Sequence, residues 1–329
     1  MNRSTFIKFA LCSSIGAFLG AALPAHAQEY PARPVKIVVP FSPGGAVDIL
    51  ARMLSQRMAP RLGRSVIVEN KVGAAGNIGV GQVARADADG YTLTLALSSN
   101  LMINQFLYSN LPYNPGKDFA LIAKVADAPL LLVVNESVPV NTPQELKQYI
   151  TDNKDKLTYG SWGNGTISHL SGARVDEIAS GAMTHVPYKG EAPMIQELVA
   201  GRLSMSFATG AQAPQFIAAG KLKAIGVTGT QPIPSMPNVP PLASSGFDDS
   251  LLRSVGWVAL AAPAGTPKAI VDRLASEVKH AMQQPELRQH IEGLGWVPSF
   301  AGPEALADMY KNEAPMWQDV IERSGVKLD

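Results

Sequence analysis

Val35-Lys36-Ile37-Val38-Val39-Pro40-Phe41-Ser42-Pro43-Gly44-Gly45 reads as a strand that breaks into a tight turn. Four of its first five residues are β-branched and apolar, the pattern of a strand buried on both faces. Proline and paired glycines then end it. Val47, Leu50, Met53, Leu54 and Met58 follow at helical spacing, and Gly63 stops that helix. The turn therefore opens a helix, where backbone N–H groups lack intrahelical partners and carry partial positive charge, a ready site for an anion. The arrangement recurs at Leu157-Thr158-Tyr159, followed by Ser161-Trp162-Gly163-Asn164-Gly165-Thr166. Two such helix starts, one from each half of the chain, can clamp one small anion between two lobes. Neither turn brings a catalytic side chain with it, so the pattern points to a receptor before an enzyme.

Outward from these turns, the chain alternates short apolar runs with helical patterns, as in βα units with mostly parallel sheets. Val66-Ile67-Val68, residues 92–97 and 130–134, and Trp257-Val258-Ala259-Leu260 are further strands. Thr142-Pro143-Gln144-Glu145 is a capping box with proline at the first helical position, Thr266-Pro267 repeats that start, and Gly302-Pro303-Glu304 opens the last long helix. Residues 231–241 hold five prolines and read as an extended surface connection. From the next strand at Trp257 only about 75 residues remain, too few for an ordinary separate domain. The expected layout is an excursion and return, with residues 28–128 and 255–329 in one lobe and 129–254 in the other, joined by a two-stranded hinge.

Residues 1–27 read as a secretory signal peptide. Arg3 and Lys8 form a basic start, an apolar stretch follows, and Ala25-His26-Ala27 fits a cleavage site. The stretch is shorter than the ~20 apolar residues of a spanning helix. Cys12, the single cysteine, lies inside it, so the exported chain is expected to fold without disulfides. Loss of Arg3 and Lys8 takes the 28 Lys/Arg to 26, against 27 Asp/Glu. With no long basic run, neither nucleic acid nor an anionic membrane is an expected main partner. A monomer is expected.

In order along the chain, Tyr30-Pro31-Ala32-Arg33-Pro34, the first turn with Asp48 and Ala51-Arg52, Val68-Glu69-Asn70-Lys71, Gly73-Ala74-Ala75-Gly76-Asn77, Asp89-Gly90-Tyr91, His185-Val186-Pro187-Tyr188-Lys189-Gly190 and Ala262-Pro263-Ala264-Gly265-Thr266-Pro267 resemble the Bug-type receptors. These are the extracytoplasmic solute receptors of tripartite tricarboxylate transporters. The resemblance implies a periplasmic, two-lobed binding-protein fold of type II with a hinged cleft. It implies capture of a small organic acid, a mono- or dicarboxylate, aliphatic or aromatic, and delivery to membrane subunits. It also implies ligand loops at residues 41–45 and 161–166, holding carboxylates by backbone groups, hydroxyls and ordered waters rather than by a buried arginine. Trp162 and Asn164 depart from the small residues often found in the second loop.

The expected ligand-binding residues are therefore Phe41, Ser42, Pro43, Gly44, Gly45, Asp48, Ser98, Ser161, Trp162, Gly163, Asn164, Gly165, Thr166, Tyr188 and Thr209. Asp48 reads either as a favourable charge in the first helical turn or as an acceptor that orders the loop, because a bare carboxylate would repel an acid. Trp162 reads either as a lid or stacking face or as a core residue. Ser98, Ser99 and Asn100 follow a strand, where open α/β sheets bind ligands, and Thr209 stands in the same relation to its own strand. His169 and His185 have no carboxylate or thiol at metal-ligand spacing, so no metal is expected. No nucleophile elbow, phosphate loop or cofactor motif occurs. A secreted enzyme of the same two-lobed fold, acting on a small carboxylate, is the alternative reading.

Overall fold

A computed structural model describes residues 30–328. The expected signal peptide with its expected cleavage site, and Cys12, lie outside the described residues. In chain order the strands are β1 (Val35–Val39), β2 (Val66–Asn70), β3 (Thr92–Leu97), β4 (Phe119–Ala128), β5 (Leu130–Asn135), β6 (Thr158–Ser161), β7 (Thr184–Pro187), β8 (Met205–Thr209), β9 (Leu222–Val227), β10 (Gly256–Pro263) and β11 (Val297–Ala301). The α-helices are α1 (Ala46–Leu62), α2 (Asn77–Ala84), α3 (Asn104–Leu107), α4 (Pro143–Asp152), α5 (Ile167–Ile178), α6 (Glu191–Val199), α7 (Pro214–Ala218), α8 (Ser250–Arg253), α9 (Lys268–Met282), α10 (Pro285–Gly293) and α11 (Pro303–Ser324).

The strands form two sheets, one ordered β11-β4-β10-β3-β1-β2 and the other β7-β6-β8-β5-β9. Both carry apolar cores on both faces. In the first sheet, α1, α9 and α10 cover one face through Leu50, Leu54, Leu274 and Ile291, while α2 and α11 cover the other through Val80 and Trp317. In the second, Leu132 and Phe207 point to one core and Leu131 and Ala208 to the other. Two-sided burial explains why β5 is apolar up to its final Asn135 and β10 along its whole length.

The two-lobed α/β class holds, but the sheets are mixed rather than mostly parallel. β1 pairs with β2 and β3 in parallel, and β6 with β7 and β8; β10 runs antiparallel to β3 and β4, β11 to β4, and β5 to β8 and β9. The reason is connectivity. β4 leads the chain out of the first sheet, through Pro129, straight into β5, and β10 brings it back. A departing and a returning strand that lie side by side must be antiparallel, and Gly256 pairs with Ala128 at the crossing.

Local signals behave as their chemistry dictates at most helix starts. Thr142 Oγ1 accepts the Glu145 N–H at 3.2 Å, and Glu145 accepts the Asn141 N–H at 2.7 Å, closing the capping box. Gly302 caps α11 and Pro303 is its first residue. The second expected capping threonine differs. Thr266 donates to the Pro263 carbonyl at 2.8 Å, and Pro267, not Thr266, is the N-cap of α9.

Candidate functional site

Residues 41–45 connect β1 to α1, as the sequence pattern requires. Gly45 caps α1 in an extended conformation and has no side chain to satisfy the first-turn amides. Gly44 has φ +80°. Its N–H donates to Asp48 Oδ2 at 2.9 Å, which also receives Arg52 Nε at 3.0 Å, while Asp48 Oδ1 receives Asn70 Nδ2 at 2.8 Å. Asn70 Nδ2 also donates to the Phe41 carbonyl at 3.0 Å. Asp48 is 2 % exposed. Burial alone would raise its pKa, but the bonds from Arg52, Gly44 and Asn70 outweigh it and hold the carboxyl below the usual range. Of its two readings, the loop-ordering one matches the geometry, because both oxygens serve the loop.

Residues 161–166 connect β6 to α5. Thr166 is the N-cap, accepting the His169 N–H at 3.3 Å and donating to the Gly163 carbonyl at 2.7 Å. Gly165, at φ +71°, donates its N–H to His169 Nδ1 at 3.1 Å, so the proton of that imidazole sits on Nε2. The His169 and His185 rings stack at 3.9 Å and 9°, and Tyr159 stacks on His185 at 4.9 Å. Burial, with the neighbouring His185, pushes the His169 pKa down to about 4, and burial lowers that of His185. Ser161 Oγ lies 2.8 Å from His185 Nε2. This is hydrogen-bond reach for a nucleophile and base, yet Ser161 is fully buried and its hydroxyl lies 3.1 Å from the Gly163 carbonyl. The pair braces the turn.

The two turns meet at one cavity of about 500 Å³. Phe41 borders it from the first turn, and Trp162, Asn164, Gly165 and Thr166 from the second. Trp162 also packs against both cores of its own lobe, so its lid and core readings coexist. Ser42, Pro43, Gly44 and Gly45 are exposed and do not border the cavity. The remaining expected residues are placed elsewhere. Ser98 is buried and accepts the Trp257 N–H at 3.2 Å, and its neighbour Ser99 borders the cavity instead. Tyr188 packs on the outer core of the second lobe. Thr209 is held by Glu191, whose carboxylate accepts its N–H at 2.5 Å and its hydroxyl at 3.0 Å; burial raises the pKa of that acid.

Several wall residues carry no local signal in the sequence. Leu97, Ile103 and Leu107 come from the first lobe, Ile167 from the start of α5, and Leu328 from the segment after α11. Among the described residues, none that borders the cavity is charged. A small anion can therefore be met here only by helix-terminal amides and neutral donors, which suffice when several converge.

Two α/β lobes, with a cleft lined from both and by the N-terminus of α5, define a solute-binding receptor. The chain belongs to the family described as tripartite tricarboxylate transporter family receptor (TctC), whose model matches residues 50–326. It is 36 % identical over 296 residues to a UPF0065 protein in a tcbD-tcbE intergenic region of Pseudomonas sp. strain P51, covering 89 % of this chain and 86 % of that one. Among solved structures it is similar to the periplasmic binding protein BugD, with TM-score 0.74 and 35 % identity over 91 % of this chain and 99 % of that one. It is also similar to Rpa4515 of R. palustris with adipate, with TM-score 0.78 and 30 % identity over 91 % and 99 %.

Proposed function

We propose that this chain is a periplasmic receptor that captures a small carboxylate between residues 41–45 and 161–166 and delivers it to the membrane subunits of a tripartite tricarboxylate-type transporter. The observation that carries the reading is that two glycine turns, each opening a helix and each from a different sheet, border one uncharged cavity. The family and the adipate-bound neighbour support it. In this reading residues 1–27 direct export, and residues 28–128 with 255–329 form one lobe against 129–254. Ligand binds the closed arrangement better and so favours it, turning the lobes about the paired crossings at Pro129 and residues 254–255. Micromolar affinity, about 8 kcal/mol, is within reach of several neutral hydrogen bonds plus apolar burial.

A melting-temperature screen against mono-, di- and tricarboxylates, with the acid recovered afterwards, tests this. A rise for a few acids, returned unchanged, is the expected result. An acid returned altered would establish the enzyme reading instead, and no shift for any acid would remove carboxylates as the ligand class.

A further inference from the structure

Resting on the receptor reading, we infer that the cleft selects a monocarboxylate with an apolar body, such as a single ring or a chain of about six carbons, and that Leu328 is a specificity-determining wall. Two polar side chains around the cavity are committed: Asn104 Nδ2 donates to Asn77 Oδ1 at 2.7 Å, and the Thr166 hydroxyl donates to the Gly163 carbonyl at 2.7 Å. The side-chain donors left are those of Ser99, Tyr108, Trp162 and Asn164. Ser99 follows β3, and Trp162 and Asn164 lie in the glycine turn, where a carboxylate would sit. The rest of the wall is hydrocarbon: Leu97, Ile103, Leu107, Ile167 and Leu328. A second carboxylate projecting there would lose its water and gain no partner, a large cost. A methylene chain or ring would instead bury apolar surface.

Leu328 is held in place by contacts from both lobes. Its N–H donates to the Leu107 carbonyl at 2.7 Å, and it forms a parallel bridge with Tyr108. Its side chain occupies the space a side chain at Gly165 would need, since a Cβ there would stand 2.6 Å from Leu328 Cδ1. The segment after α11 thus closes the cavity against the second-lobe turn.

The test is calorimetric titration of the purified protein with two matched pairs, hexanoate against adipate and benzoate against terephthalate. Each monoacid is expected to bind at least about tenfold tighter than its diacid, since a charge is what distinguishes them. Leu328→Ala is expected to weaken hexanoate by roughly tenfold through lost apolar contact. Leu328→Lys is expected to reverse the first preference, with adipate above hexanoate. Melting curves with cooperative transitions establish that each variant is folded; if Leu328→Ala is not, the wild-type pairs and Leu328→Met, expected to keep the monoacid preference, carry the test. A diacid that matches or exceeds its monoacid in the wild type overturns the inference while leaving a carboxylate receptor standing. Unchanged hexanoate affinity in folded Leu328→Ala overturns the wall assignment. Absence of binding by all four acids, together with no shift in the wider screen, overturns the receptor reading as well.

Discussion

The turn after β1 and the turn after β6 share one plan, a strand, a glycine turn and a helix start, yet they are braced by opposite chemistry. The first relies on a charge: Asp48, held ionised by Arg52, Gly44 and Asn70, ties the turn to its helix and to the end of β2. The second relies on neutral groups: an imidazole that accepts the Gly165 N–H, a second imidazole stacked on it, and a threonine cap. The first turn stands exposed while its carboxylate is buried and kept ionised by the three donors that meet it, and the second is largely enclosed and braced without a charge. A glycine turn of this kind can thus be built around a carboxylate, provided both of its oxygens are occupied.

The comparison breaks first at Gly165. Gly44→Ala and Gly165→Ala impose similar left-handed strain, about 1 kcal/mol each. A Cβ at position 44 meets nothing within 4 Å, whereas at 165 it meets Leu328 and Leu107. Urea unfolding is expected to show Gly165→Ala losing about 3 kcal/mol in all once overpacking is added. Adding Leu328→Ala to Gly165→Ala should recover part of that loss. Equal losses for the two glycines would show that the second turn is not packed against Leu328.

Asp48→Ala comes next. It strands the Gly44 N–H and the side chains of Arg52 and Asn70, and an expected loss of about 2 kcal/mol follows from bonds to a charged group. A titration of the same variant should show weaker ligand binding, because the turn loses its shape. Full stability and affinity in Asp48→Ala would remove the brace.

Acid sharpens the contrast further. The His169 pKa stands near 4 in the folded chain and near 6.5 when unfolded. Between these values the unfolded chain binds the proton and the folded chain does not, so stability falls as pH drops from 6.5 towards 4. Protonation of Nδ1 would also cancel its acceptor role towards Gly165. Melting temperatures measured across this range should therefore fall with acid in the wild type. The fall should be smaller in His169→Asn, whose Oδ1 can take the place of Nδ1 without titrating. A similar slope in both would assign the acid sensitivity elsewhere.

The smallest effect belongs to Arg52, whose side chain is 49 % exposed. Arg52→Gln is expected to lower stability slightly at low salt and not measurably at high salt. A large, salt-independent loss would mean that this pair is shielded from solvent.

How far the sequence carries can be argued from the same residues. β5 is apolar up to Asn135 and β10 throughout, β1 is broken only by Lys36, β3 alternates with threonine, and both glycine turns are local patterns, so each is legible without partners. Asp48 was legible as a charge in the first turn, but its bond to Asn70 required the end of β2 to be placed. The stacked histidines come from a helix and from the edge strand beside β6, and nothing in either local pattern announces that they meet. Leu328 contacts Leu107 and the Gly165 turn only after the whole chain has folded back, so no spacing rule reaches it. Strand direction failed for a related reason. Apolar periodicity marks a strand but not its neighbour, and the antiparallel ladders follow from where the chain leaves and returns.

That return has a consequence for how the protein assembles. β10 lies between β4 and β3 in the first sheet. The interior of that sheet is therefore closed by a strand made only after all five strands of the second, which come from one uninterrupted stretch of chain. The second lobe can gather its contacts as soon as that stretch is available, whereas the first must keep β3 and β4 waiting with open edges. Contacts so distant along the chain are slow to form and leave strand edges exposed to aggregation in the meantime. The adjacent crossings between the two sheets thus impose an order on folding, with the inserted lobe able to lead and its host completed last.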